Sequence, residues 1–310
     1  MFEKIIKPNR LEKGDTIGII SPSGSASYDK KKFNAGLKTI KKLGFNYKLG
    51  KHVFAELDEH KDNYSAGTVA QRLEDLHWAF EAKDVDAIIC STGGETAIQL
   101  LKHIDYNIVR KNPKIFSGMS DIGTLLNPIF NKTGLITFHG PIVLYMWEFV
   151  EENEHFLKAV SPKPIGQIPQ LKPKTWHTIK PGIANGRLVG GHIGIVTGLL
   201  GTEYAPDFRG NILMLESLGE SAESIERYLS VYDAHNVFGK ISGMIIGHLD
   251  GYKGVPIEKV VKRVTEKYDF PILKIEEFGH NCINVTLPIG CMATVDATNK
   301  KFSIDESAVV

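Results

Sequence analysis

Ser120 lies in Ser117-Gly-Met-Ser-Asp121, with Gly118 two positions before it and the run Ile122-Gly-Thr-Leu-Leu126 directly after. A serine between a strand and a helix, preceded by such a glycine, has the layout of a nucleophile elbow. The turn exposes the hydroxyl, and the helix N-terminus favours negative charge beside it. The familiar elbow carries a second glycine two positions after the serine, where this chain has Ile122. Capping of the helix by Ser120 or Asp121 is the competing account, since both are preferred capping residues.

A nucleophilic serine needs a base, and histidine has the intrinsic acidity for that work. Among 11 histidines, His280 is placed in Phe278-Gly-His-Asn281, after the short apolar run Ile272-Leu-Lys-Ile275. A strand end lets its side chain reach a binding cleft, although composition alone does not rank it above His139 or His192, and a hydrogen-bonded structural histidine is the alternative. Glu216 closes the apolar run Ile212-Leu-Met-Leu215. A carboxylate there is costly unless paired, and a histidine, a cation or a helix cap would each meet the need.

Ser91-Thr-Gly-Gly-Glu95 is the other unusual turn, because paired glycines let backbone N–H groups approach a ligand closely. Thr92 and Glu95 flank those glycines and are candidate substrate contacts. Trp176 offers a ring that could stack on a substrate or pack in the core. Gly186-Arg-Leu-Val-Gly-Gly191 opens no Rossmann helix and does not read as a dinucleotide site.

These residues need elements to hold them. Asp15–Ser21, Asp86–Cys90 and Lys114–Phe116 read as short buried strands. Helical spacing covers 28–43, 68–82 and 95–103, with a further helix after the Ser120 turn, and such alternation implies a parallel sheet covered on both faces. The expected class is α/β: an N-terminal doubly wound, Rossmann-like domain over 1–160, then a Pro-rich crossing over 161–183. A smaller β-rich mixed domain follows over 184–310, with helices near 222–234 and 256–268. In open parallel sheets ligands gather beyond the carboxyl ends of the strands, where both turns lie.

A chain of 310 residues with 37 basic and 36 acidic side chains has no overall field to hold a phosphate backbone. Nucleic acid is therefore not an expected partner. The start, MFEKIIKPNRLEKGD, lacks the apolar stretch of a signal peptide, and no segment has the length of a membrane span, so a cytoplasmic location is expected. Cys90, Cys282 and Cys291 are widely spaced and form neither a disulfide framework nor a zinc pattern.

Taken in order, the motifs resemble the LD-carboxypeptidase family of serine peptidases, peptidase family S66, which includes the microcin C self-immunity peptidases. The resemblance runs through Lys13-Gly-Asp-Thr-Ile-Gly-Ile-Ile-Ser-Pro22, Gly93-Gly94, Ser117–Asp121, Thr137-Phe-His-Gly-Pro141, Gly186–Gly191, Gly201-Thr202, Leu215-Glu216, Phe278-Gly-His280 and Leu287-Pro-Ile-Gly290. It implies Ser120 as nucleophile, His280 as base and Glu216 as the carboxylate that orients it. Backbone N–H groups of Gly93, Gly94 and Asp121 would form the oxyanion hole. It further implies a triad assembled across the cleft between two domains, a homodimer, a small peptide-derived substrate, and no metal or organic cofactor.

Gly93-Gly-Glu-Thr-Ala97, Ser221–Leu229 and Ile241–Gly247 look more like the immunity branch, whose substrate is a peptidyl nucleotide, than the murein branch, which removes D-alanine from a muramoyl tetrapeptide. Three features depart. His192 stands where the family often has Asn, the loop after His280 reads Asn-Cys-Ile-Asn284, and the crossing before Trp176 is shorter than the tryptophan-rich segment that contacts the nucleobase in immunity peptidases. A non-catalytic peptide-binding protein with the same fold is the reading from another class.

Overall fold

The computed structural model describes residues 4–57 and 64–310. Contacts divide the chain into two compact units, the first being 1–163 with 286–288 and 308–310, the second 164–285 with 289–307.

In the first unit β1 (Thr16–Ile20), α1 (Lys30–Lys42), β2 (Asn46–Leu49), α2 (Val69–Glu81), β3 (Ala87–Cys90), α3 (Tyr106–Lys111), β4 (Ile115–Gly118), α4 (Gly123–Thr133), β5 (Thr137–His139) and α5 (Val150–Ala159) follow one another. β1 pairs with β2 and β3, β3 with β4 and β4 with β5, all in parallel. β3 is buried along its whole length, as a central strand covered on both faces must be, and its sequence Ala-Ile-Ile-Cys is apolar throughout.

Local signals fix the helices. Asp29 accepts the Lys32 N–H at the start of α1, which buries Phe33, Leu37 and Ile40 before Gly44 turns the chain at φ 95°. Thr68 and Gln71 form a reciprocal capping box on α2. The helix expected over 95–103 is reduced to a 3-10 turn, Ala97–Leu100. The N–H groups of Thr96 and Ala97 are taken by the side chains of Ser23 and Asp121, and Asp105 then starts α3 by accepting from Asn107.

After α5 the chain continues through β6 (Gly166–Gln167), β7 (His177–Lys180), β8 (Ile183–His192), α6 (Ile193–Thr197), β9 (Ile212–Leu218), α7 (Ala222–Ala234), β10 (Gly243–Asp250), α8 (Ile257–Thr265), β11 (Ile272–Lys274), β12 (Leu287–Ile289), β13 (Met292–Asp296) and β14 (Lys301–Ile304), all but β12 lying in the second unit. Eight of these strands form one mixed sheet in the order β6-β14-β13-β8-β9-β10-β11-β7. Its centre, β8 to β11, is parallel, and its flanks are antiparallel. Val189, Leu213, Leu215, Met244 and Ile246 pack against Ile225, Leu229 and Tyr232 of α7 and Val260 and Val261 of α8.

The stretch expected as a crossing, 161–183, supplies β6 and β7 to this sheet. β12 does the opposite: residues 286–288 belong to the first unit, where β12 lies beside β5 as the last strand of a six-stranded sheet. No helix among the described residues is long and apolar enough to cross a membrane.

Candidate active site

In the first unit the loops after β1, β3 and β4 emerge together at the carboxyl ends of the strands. Here the strand order reverses between β1 and β3. Ser120 follows β4 with φ 60°, a left-handed conformation rare for a residue with a side chain. Its neighbours are not capped in the ordinary way, since no side chain caps the 3-10 turn Ser120–Ile122 or α4 that follows. The capping account of Ser120 and Asp121 is therefore replaced by a strained turn that leaves the Ser120 side chain partly exposed.

The Asp121 carboxylate instead ties the loops together. It accepts from the Ser23 hydroxyl (2.5 Å), the Ala97 N–H (2.8 Å) and the Thr124 hydroxyl (3.2 Å). Gly93 sits against Ser120, for a Cβ built on it would lie 2.9 Å from the Ser120 Cβ and 3.1 Å from its Oγ. Gly94, at φ 144°, packs so closely that a Cβ would fall 2.3 Å from the Ser23 Oγ. The Gly93 carbonyl accepts from the Gly24 N–H at 2.9 Å. Thr92 is partly buried and Glu95 is exposed on the same turn. His139, at the end of β5, is buried opposite Gly118.

Sequence reasoning missed Arg72, the buried guanidinium on α2, which donates to the Pro22 carbonyl, to the Thr96 carbonyl and hydroxyl, and to Gln99. Burial lowers its pKa, while the nearby Asp121 charge raises it. The signal was present, since Arg72 shares the buried stripe of α2 with Leu76, Ala79 and Phe80.

In the second unit Glu216 is the fifth residue of β9 and is completely buried. Its Oε2 lies 2.7 Å from Nδ1 of His280, itself 9% exposed. A carboxylate can only accept, so Nδ1 carries the proton and Nε2 presents a lone pair, the tautomer a general base requires. The loop is fixed from several sides. Gly279, at φ 138°, would bring a Cβ within 2.8 Å of the His248 carbonyl and 3.3 Å of the Glu216 Cβ. Asn284 accepts from the Gly279 N–H (2.8 Å) and donates to its carbonyl (2.6 Å), and Asn281 donates to Asp250. Both Asn281 and Asn284 thus hold the loop that carries His280.

His192 pairs with Glu216 across β8 and β9, and its ring stands edge-on to His280 with centroids 5.6 Å apart. Its Nε2 accepts from the Leu218 N–H at 3.3 Å. Trp176 is 1% exposed and its indole N–H donates to the buried carboxylate of Glu277, so the ring packs in the interior. Glu277 also accepts from the Leu171 N–H at 2.9 Å. Cys90 and Cys291 are buried, and Cys282 is partly so.

A strained serine beside a glycine turn, and a histidine held by a buried carboxylate, are side chains of the kinds that acyl-transfer chemistry employs. The family model for the LD-carboxypeptidase N-terminal domain matches residues 17–140, and that for the C-terminal domain matches 185–295. The chain is 32% identical to a probable murein peptide carboxypeptidase of Bacillus subtilis, over 98% of this chain and 96% of that protein. It is 31% identical to the microcin C7 self-immunity protein MccF of Escherichia coli, over 96% and 94%. A solved structure of MccF in complex with aspartyl sulfamoyl adenosine superposes with a TM-score of 0.90 at 29% identity, covering 98% of this chain and all of that one. The chain belongs to the LD-carboxypeptidase family, peptidase family S66, and is a carboxypeptidase of that family.

Proposed function

We propose that this carboxypeptidase hydrolyses an amide bond in a small peptide-derived substrate through Ser120, His280 and Glu216. The reading rests on the Glu216–His280 hydrogen bond, which leaves Nε2 as a base. The strained Ser120 turn supports it from the first unit. The chemistry needs Nε2 within hydrogen-bond reach of the Ser120 hydroxyl in the working enzyme.

Nε2 takes the Ser120 proton as Oγ bonds to the substrate carbonyl carbon, and the resulting oxyanion is held by N–H groups of Gly93, Gly94 and Asp121. His280 returns that proton to the leaving nitrogen as the C–N bond breaks. Water then attacks the acyl-enzyme, giving a proton to His280, and Ser120 recovers it as the acid departs. Glu216 orients the imidazole and stabilises its charged form throughout. Thr92, Glu95 and His192 are the proposed substrate contacts, and the enzyme is proposed to act in the cytoplasm as a homodimer, which sedimentation would test.

The favoured substrate is a microcin C-like peptidyl nucleotide, supported by the likeness to MccF, whose solved structures include complexes with aspartyl sulfamoyl adenosine and glutamyl sulfamoyl guanosine. A second reading, removal of D-alanine from a muramoyl tetrapeptide, is supported by the likeness to the Bacillus subtilis protein. Incubation of pure enzyme with each compound, followed by mass spectrometry, separates the two. Ser120→Ala and His280→Ala should each abolish turnover in folded protein, with the double variant no worse than either. Cleavage of either compound by Ser120→Ala at the wild-type rate would remove the mechanism.

A further inference from the structure

We propose that Arg72 is a positioning residue for the oxyanion turn, an inference that rests on Ser120 being the nucleophile. The guanidinium is 1% exposed, and its bonds bypass its own helix. One goes to the Pro22 carbonyl (3.1 Å) in the loop after β1. Two go to Thr96, at its carbonyl (3.0 Å) and hydroxyl (3.1 Å), and one to Gln99 (2.5 Å), all just beyond Gly93-Gly94.

Thr96 is therefore gripped from two sides. Arg72 holds its carbonyl and hydroxyl, while the Ser23 hydroxyl accepts its N–H at 3.2 Å and itself donates to Asp121. The next N–H, of Ala97, ends on the same Asp121 oxygen. Asp121 directly follows Ser120. The network thus runs from α2 through Thr96, Ala97 and Ser23 to Asp121, the residue after Ser120, and it pins the chain immediately beyond the turn whose Gly93 abuts Ser120.

A buried charge is a poor choice for stability alone, because a well-packed apolar side chain of similar volume commonly does as well or better. Nη1 reaches the Pro22 and Thr96 carbonyls and the Thr96 hydroxyl while Nη2 reaches Gln99, so the planar group joins the loop after β1 to both ends of the 96–99 segment, a span that a lysine's single nitrogen cannot reproduce. Oxyanion stabilisation depends on donors placed in advance, and a misplacement of about 1 Å costs about 10²-fold in rate.

The test compares wild type, Arg72→Met and Arg72→Lys. Labelling of Ser120 by an alkyl fluorophosphonate forms the Oγ–P bond and expels fluoride, with the phosphoryl oxygen in the oxyanion position. Turnover is measured with aspartyl sulfamoyl adenosine and with muramoyl tetrapeptide. In folded Arg72→Met, labelling rate and kcat should both fall about 10²-fold while KM stays within about threefold. Arg72→Lys should fall about tenfold, since it restores charge without the fork.

Labelling and kcat within about threefold of wild type in a folded variant would overturn the proposal, as would a change confined to KM. Should Arg72→Met not fold, Arg72→Lys decides by the same criteria. Should wild type neither label nor cleave either compound, the hydrolytic reading fails and this inference with it. An active wild type with unaffected variants rejects Arg72 alone.

Discussion

Glu216 and His280, 64 positions apart in the chain, meet through a 2.7 Å hydrogen bond between Oε2 and Nδ1, with the carboxylate sealed from solvent. The bond fixes both the plane of the imidazole and its tautomer. Glu216→Gln should therefore lower kcat/KM by about 10³–10⁴, because an amide can donate to Nδ1 and stabilise the opposite tautomer. Steady-state kinetics beside a circular dichroism spectrum checks this, and retention of more than a tenth of wild-type activity in folded protein would contradict it.

Gly93→Ala should silence the enzyme without unfolding it. The added methyl would meet the Ser120 Cβ at 2.9 Å, a distance real Cβ contacts do not show, so the Ser120 turn must shift. A displacement of that order costs about 10²-fold in rate. The readout is kcat, with the thermal midpoint as control, and an unchanged kcat would show that the turn yields freely.

Trp176→Phe should act on stability rather than on substrate affinity. It removes the indole donor to Glu277, a buried carboxylate left with the N–H groups of Leu171 and Glu276, and should cost about 1–3 kcal/mol. Urea unfolding gives the stability, and KM for aspartyl sulfamoyl adenosine should stay within about threefold. A KM change much above tenfold with unaltered stability would place the ring in the binding site instead.

Stability should decline as pH rises toward 8, and Glu152 is one cause. Burial, reinforced by the neighbouring Glu148, pushes its carboxyl up to about 8. The folded state therefore keeps a proton that the unfolded chain releases near pH 4.5, the ordinary value. Between those values the unfolded state binds fewer protons, so the protonated group's stabilisation is complete at low pH and lost as pH approaches 8. Glu152→Gln should flatten this part of the curve and raise stability at pH 8, read from unfolding midpoints between pH 5 and 8.5. An unchanged slope would assign the dependence elsewhere.

Much of the first unit was legible because β1 and β3 are largely apolar runs and α1 ends in a clear stop at Gly44. Ser120 stood out by its glycine-containing turn and Glu216 by closing an apolar run, whereas His280 was separated from His139 and His192 by the family motif rather than by composition. Other features were not legible. The 3-10 turn at 97–100 replaces a helix because distant side chains claim the N–H groups, which periodicity cannot report. β6 and β7 are too short and polar to announce themselves within a Pro-rich stretch, and depend on β14 and β11 for partners. The φ of Ser120 is imposed by the packed loops around it, and Arg72 was hidden because a charge on an apolar helix face reads as an exception until its acceptors are in place.

The strand at 287–289 sets a schedule for biosynthesis. A nascent polypeptide that has not yet reached residue 286 holds Ser120 and its glycine turn, yet the sheet beneath them still has an open flank at β5. Such an unpaired flank invites pairing with a neighbouring chain on a crowded polysome. The half of the molecule translated first is thus finished last, once the strand at 287–289 has emerged to close that flank.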